Sequence, residues 1–228
     1  MGSPETAEVL AHLDFDALII DHEHSPGGIE TTIHQMRAIR AAGDATILAR
    51  VSGPDVRAIK LLLDCGVEGL LLPTVESAAA ARDFVAACRY PPRGRRGAHF
   101  TVSRAAAWGE RSAQFRDAEA SLLLVAMIES MKGVEAIAAI AKIDGIGMLF
   151  LGPLDLTGSI GRMGEWNHPE VAALLARAQH AALATGVPVG TALVPGESAA
   201  ECFGRGVRLA TVGSDAGMLR QGAKASLV

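Results

Sequence analysis

Four short stretches of this sequence hold side chains whose types and spacing could do chemistry. Asp21, His22, Glu23 and His24 stand in a row, Arg50 follows an apolar run, Glu129 follows another, and Gly152-Pro153-Leu154-Asp155 sets a carboxylate behind a glycine and a proline. Two carboxylates such as Glu129 and Asp155, with the other positions open to water or substrate oxygens, suit a hard divalent cation of the magnesium or manganese kind. Cysteine and further histidine would point to zinc instead. Arg50 offers the two-pronged recognition that a carboxylate or phosphate needs. His24 lies three residues after Asp21, near enough to be held in one tautomer by that carboxylate and used as a base.

Each of these residues also has a plainer role when taken singly. Asp155 precedes Leu156 and a helical turn, so it could be a helix cap. Arg50 could pair with a neighbouring carboxylate, and a loop histidine such as His24 or His22 is more often merely solvated. Arg93, Arg95 and Arg96 form a short basic cluster that could attract an anion, although solvated loop charge is the more common case. Asp64 and Asp215 read as structural. It is the recurrence of such residues just after apolar runs that describes a site.

Those runs imply the elements that must position the chemistry. Ser3, Pro4 and Glu5 supply a capping serine, a first-turn proline and an acid at the positive end of a helix dipole, so the chain opens on a helix. Strand-like runs follow at 16–21, 46–50, 69–72, 122–128, 147–151, 188–192 and 208–213, most of them short and continuously apolar, as strands buried on both faces are. Between them lie amphipathic stretches near 29–42, 54–65, 77–88, 131–142, 168–185, 196–205 and 215–226. Alternating β and α units imply a parallel sheet with right-handed crossovers, and this many in one chain suits a (β/α)8 TIM barrel lacking one strand. In such a barrel the carboxyl ends of the strands share a face, which is where Asp21, Arg50, Glu129, Gly152, Pro153 and Asp155 fall. A doubly wound sheet is the alternative, but no glycine fingerprint for a dinucleotide follows any run. No composition shift marks a linker, so residues 1–228 read as a single domain, with 89–104 as its one long loop.

Composition bounds the partners. Half of the 228 residues are hydrophobic, and 21 Lys and Arg against 25 Asp and Glu give a formal charge of −4, which leaves no electrostatic footprint for nucleic acid. The three cysteines, Cys65, Cys88 and Cys202, are odd in number and far apart, which favours a reducing compartment over a disulfide framework. No apolar run approaches the roughly 18 residues of a membrane span, and no leader-like segment opens the chain. A cytoplasmic protein is expected, acting on a small molecule without a membrane or nucleic-acid partner.

The motifs together resemble the HpcH/HpaI aldolases, class II enzymes that cleave 4-hydroxy-2-oxo acids to pyruvate and an aldehyde. The resemblance runs over nearly the whole chain. It is carried by Ile20-Asp21-His22-Glu23-His24-Ser25-Pro26, by Ile59-Lys60 and Leu63-Asp64-Cys65-Gly66, and by Arg89-Tyr90-Pro91-Pro92-Arg93-Gly94-Arg95-Arg96-Gly97. Ile128-Glu129, Gly152-Pro153-Leu154-Asp155-Leu156 and Val212-Gly213-Ser214-Asp215 complete it. It implies that Glu129 and Asp155 hold magnesium, manganese or cobalt, that Arg50 contacts the pyruvate moiety, and that His24, oriented by Asp21, moves a proton. Met127, Gly152, Pro153 and Leu154 join Arg50 as substrate-binding positions. A metal gripping the 2-oxo group and carboxylate would stabilise the enolate left by carbon–carbon cleavage. No Schiff-base lysine is required, and Lys60 reads as helical.

Members of the family usually begin one strand earlier. They commonly carry glutamine where Met127 stands, glycine where His99 stands and a small residue where Leu154 stands. They are similar to hexamers built from pairs that exchange C-terminal helices, so a homo-oligomer is expected, with residues 215–228 packed on a neighbour. Two other functions remain open at this point: a CoA-thioester lyase of the citrate-lyase-like branch, and a non-catalytic barrel that binds metal or oxo acid.

Overall fold

The computed structural model describes residues 1–111 and 118–227. Seven strands run in a sheet in chain order: β1 (Ala17–Asp21), β2 (Thr46–Arg50), β3 (Gly69–Leu72), β4 (Leu123–Ile128), β5 (Met148–Leu151), β6 (Val189–Ala192) and β7 (Leu209–Thr211). These are the seven runs expected, each within two residues at either end. Sequential order in a parallel sheet with helical crossovers is the order of a TIM-barrel-like α/β fold. The chain divides into two compact units: residues 1–70, 87–122 and 213–228 form one, and residues 71–86 and 123–212 the other.

In the first unit, α1 (Pro4–Ala11) begins as expected, with the Ser3 hydroxyl accepting the Thr6 N–H. β1 and β2 pair in parallel with Asp21 opposite Arg50. That register brings together two residues 29 apart in sequence. α2 (Ile29–Ala42) buries Met36 and Ile39, and α3 (Val56–Cys65) buries Ile59, Leu62 and Leu63. α3 ends at Gly66, whose φ of 95° is the left-handed conformation that glycine adopts without strain.

The long loop is more ordered than solvated charge would make it. Arg96 is only 6% exposed, lies 4.6 Å over the Tyr90 ring and donates to Asp64 at 2.8 Å. Arg93 donates to Glu119 at 2.6 Å. Asp64 is therefore structural, as expected, and Arg93 and Arg96 are engaged in holding the loop rather than in attracting an anion. Two 3-10 turns, Phe100–Val102 and Ala107–Gly109, follow in this stretch. The unit closes with α9 (Asp215–Ala225), whose Asp215 accepts from the Met1 ammonium at 2.8 Å and from the Thr6 hydroxyl at 3.1 Å. Val228, the last residue of the segment expected to be exchanged, lies outside the described residues.

The second unit contains α4 up to residue 86 (the helix spans Ala78–Cys88), and then β4, β5, β6 and β7 with α5 (Met131–Ile140), α6 (Pro153–Ser159), α7 (Pro169–Leu183) and α8 (Ala199–Gly204). β4 pairs with β5, β5 with β6 and β6 with β7, all in parallel. Val125, Ala126, Ile128 and Leu149 are fully buried, which is why these strands read as continuous apolar runs rather than alternating ones. Where the sequence predicts only a turn, helix α6 stands. It is seven residues long, starts from Gly152-Pro153 and contains Gly158, too short and too glycine-rich to show an amphipathic period.

Candidate active site

Each unit carries one part of the expected chemistry at the carboxyl ends of its strands. In the second unit, Glu129 immediately follows β4 and is 8% exposed. Its Oε1 accepts the Thr74 backbone N–H at 2.7 Å. Thr74 holds a φ of 50°, a left-handed conformation rare for a β-branched residue, and the strain aims its N–H at the carboxylate. The neighbouring Val75 N–H bonds to the Met127 carbonyl, which pins this turn against β4.

On its other side Glu129 lies over Gly152. A Cβ there would come within 2.7 Å of Glu129 Cγ and 2.8 Å of Oε2, so only glycine leaves room for the carboxylate. Gly152 is also the N-cap of α6, which carries Asp155 in its first turn. The capping role considered for Asp155 therefore falls to Gly152. Asp155 is exposed, one turn along from the glycine that cradles Glu129. Pro153 is buried and Leu154 is 49% exposed. Met127 is 3% exposed on β4, with Phe150 as its partner on β5. Ser130, the next residue after Glu129, caps α5 by accepting the Gly133 N–H and donates to Glu76 Oε1 at 2.7 Å, so the chain is fixed on both sides of Glu129.

In the first unit, Arg50 is gripped by two carboxylates, neither of them adjacent to it in sequence. Its Nε donates to Asp21 Oδ1 at 2.8 Å and its Nη2 to Oδ2 at 2.6 Å, while Nη1 lies 3.0 Å from Glu23 Oε2. Burial pushes the Asp21 carboxyl up. The Arg50 guanidinium and the backbone N–H groups of Glu23 and His24 more than offset that push and hold it below the usual carboxylate range.

The geometry corrects the pairing of Asp21 with the His24 ring. Asp21 is committed to Arg50, and the His24 ring is 70% exposed with Nε2 3.7 Å from Glu23 Oε2. His22 is not solvated either. Its Nε2 meets the Thr32 hydroxyl at 2.8 Å, and burial lowers its pKa against the opposing pull of Asp21. Thr74 and the cradling role of Gly152 were invisible in the sequence, because both are backbone effects. Glu23 stands in the same row as Asp21 and His24, but its hold on Arg50 is not legible in the sequence.

The donor set fits a hard divalent ion. Glu129 and Asp155 offer oxygen only, and Cys65, Cys88 and Cys202 are buried free thiols, with burial pushing Cys88 up to about 12. Among the described residues no group of three or more His, Cys, Asp or Glu is placed to hold a metal. Two carboxylates leave positions open to solvent or substrate, as catalytic magnesium sites do. Lys60 lies inside α3. No described helix is long and apolar enough to cross a membrane.

Known proteins resemble this chain over most of its length. The chain is 36% identical over 226 residues to the hydroxypyruvate/pyruvate aldolase of Delftia acidovorans, covering 99% of this chain and 84% of that one. It is 35% identical over 209 residues to the 2-keto-3-deoxy-L-rhamnonate aldolase of Salmonella paratyphi B, covering 92% and 78%. The crystal structure of an HpcH/HpaI aldolase/citrate lyase family protein from Burkholderia cenocepacia superimposes with a TM-score of 0.92 at 35% identity, covering 100% of this chain and 90% of that one. The profile of the family matches residues 2–222, and the chain belongs to the HpcH/HpaI aldolase/citrate lyase family.

Proposed function

We propose that this protein is a divalent-metal-dependent aldolase that cleaves a 4-hydroxy-2-oxo acid to pyruvate and an aldehyde. The observation that carries the reading is the seat of Glu129: a buried carboxylate fitted into a notch only glycine allows, steadied by a strained backbone N–H, beside the helix turn that bears Asp155. Glu129 and Asp155 hold magnesium, manganese or cobalt, which supplies Lewis-acid polarisation of the 2-oxo group when bound.

Every other role falls to the chain itself. Arg50, fixed by Asp21 and Glu23, meets the substrate carboxylate with its positive charge and stabilises the negative charge that grows as the carbon–carbon bond breaks. His24 takes the proton of the 4-hydroxyl and returns one in the reverse, aldol direction. Gly152, Pro153, Leu154 and Met127 shape the binding surface.

Metal binding stabilises the folded state by mass action, so magnesium or manganese at about a hundred times Kd should raise Tm by roughly 5–10 °C. Glu129→Ala and Asp155→Ala should lose that rise while remaining folded. Equal shifts in all three proteins would refute the assignment of the two carboxylates.

A further inference from the structure

The stretch that carries the two 3-10 turns is stapled to the carboxyl end of α3. The Ala105 N–H and the Ser103 hydroxyl donate to the Asp64 carbonyl at 2.9 and 3.2 Å, and Arg104 Nη1 donates to the Cys65 carbonyl at 2.8 Å. Beside these bonds lies an open cavity of about 650 Å³, the size of a small-molecule site, and all of its described lining belongs to the first unit. It borders the amino end of β2: Arg40 of α2 donates to the Ala45 carbonyl at 2.7 Å and pairs with Glu68, whose Oε2 also accepts the Ile47 N–H at 2.8 Å. Arg50 stands at the other end of the same strand.

Its walls are cationic and aromatic. Of the four arginines that line it, Arg40 is met by Glu68 and Arg96 by Asp64. Arg104 and Arg111 are bonded to no carboxylate among the described residues: the acceptor for Arg104 is a neutral carbonyl, and Arg111 is exposed. Two positive charges are therefore left uncompensated along one wall. Tyr90 and Phe100 line the cavity edge to face, and Trp108 leaves 62% of its surface open to solvent. Ala107 and Trp108 both hold left-handed backbone, with φ of 48° and 57°, and the Trp108 N–H is tied to the Ser103 carbonyl at 3.0 Å. Strain of that kind is kept where the surrounding structure fixes it, and here it holds an exposed indole at the cavity instead of burying it.

We propose that this cavity is a second binding site, for a small planar molecule that carries a phosphate or carboxylate group. Arg104 and Arg111 meet the oxyanion, and the planar body packs on the Trp108 ring. The site is separate from the strand ends that hold Asp21, Arg50 and Glu129, and it stands whether or not the protein is an aldolase.

The chain has two tryptophans, Trp108 and Trp166, so Trp166→Phe leaves the proposed platform as the sole reporter. Titration of that variant, free of metal and at constant ionic strength, with phenyl phosphate and with benzoate should give saturable quenching, and the tighter of the two identifies the oxyanion. Inorganic phosphate and phenol, each with half of the recognised structure, should bind about tenfold more weakly than that probe. Arg104→Gln should weaken binding about tenfold, and Arg111→Gln, at an exposed position that can lose its charge without unfolding the chain, should weaken it in the same direction. Arg50→Gln, at the far end of β2, should leave the affinity within about twofold. The same order should appear in the rise of Tm of the natural protein with each probe. Binding that is lost in Arg50→Gln and kept in both other variants would place the anion at the catalytic end and overturn the proposal. So would the lack of saturable binding at millimolar probe, or a Trp108→Ala variant that shifts toward monomer in sedimentation while the natural protein binds no probe, which would assign this face to a second copy.

Discussion

Glu129 owes its position to what its neighbours lack. Gly152 has no Cβ, and without that vacancy the carboxylate could not lie across the start of α6. Gly152→Ala should therefore push Glu129 off the Thr74 N–H, destabilise the fold by about 1–3 kcal/mol through overpacking, and abolish the rise in Tm with divalent ions. Calorimetry with and without manganese measures both effects. An alanine variant that keeps the full metal response would show that the notch is incidental. At this scale the sequence was informative about chemistry and silent about geometry. Asp21, His24, Arg50, Glu129 and Asp155 stood out by type and by position after apolar runs. The grip of Asp21 on Arg50 did not, because it depends on a strand register that periodicity leaves undetermined.

At the scale of elements, β1 and the loop after it are fastened by two groups whose titration runs the same way. Burial holds the His22 pKa below the ordinary value in the folded state, against the opposing pull of Asp21. Unfolding lets it bind a proton, so its contribution is present above about pH 6.5 and is lost as pH falls through the depressed folded value. Asp21, also depressed, adds a second loss that begins below about pH 4. Chemical denaturation as a function of pH should show stability declining on acidification in these two windows, with His22→Gln removing the first. A stability that rose between about pH 6.5 and about pH 5 would contradict the assignment. The strands themselves were legible because burial on both faces leaves runs of Val, Ile and Leu bounded by polar tips. Helix α6 was not, since a seven-residue helix opening on Gly-Pro carries no period to read.

At the scale of the whole molecule, α9 is little covered by the described residues of its own chain. None of its residues is buried, Leu219 is 61% exposed, and the adjoining Val212 is 45% exposed. We propose that a second copy covers this helix in a homo-oligomer. Sedimentation should then find a species larger than a monomer at micromolar concentration, and Leu219→Asp should shift it toward monomer. A monomer alone would remove the proposal. The central claim is tested most directly by pyruvate release from a 4-hydroxy-2-oxo acid, assayed with magnesium, manganese or cobalt and again after chelation. The account predicts release that disappears with chelator and returns with added metal. Release unaffected by chelator, or none with any metal and any such acid, would contradict it.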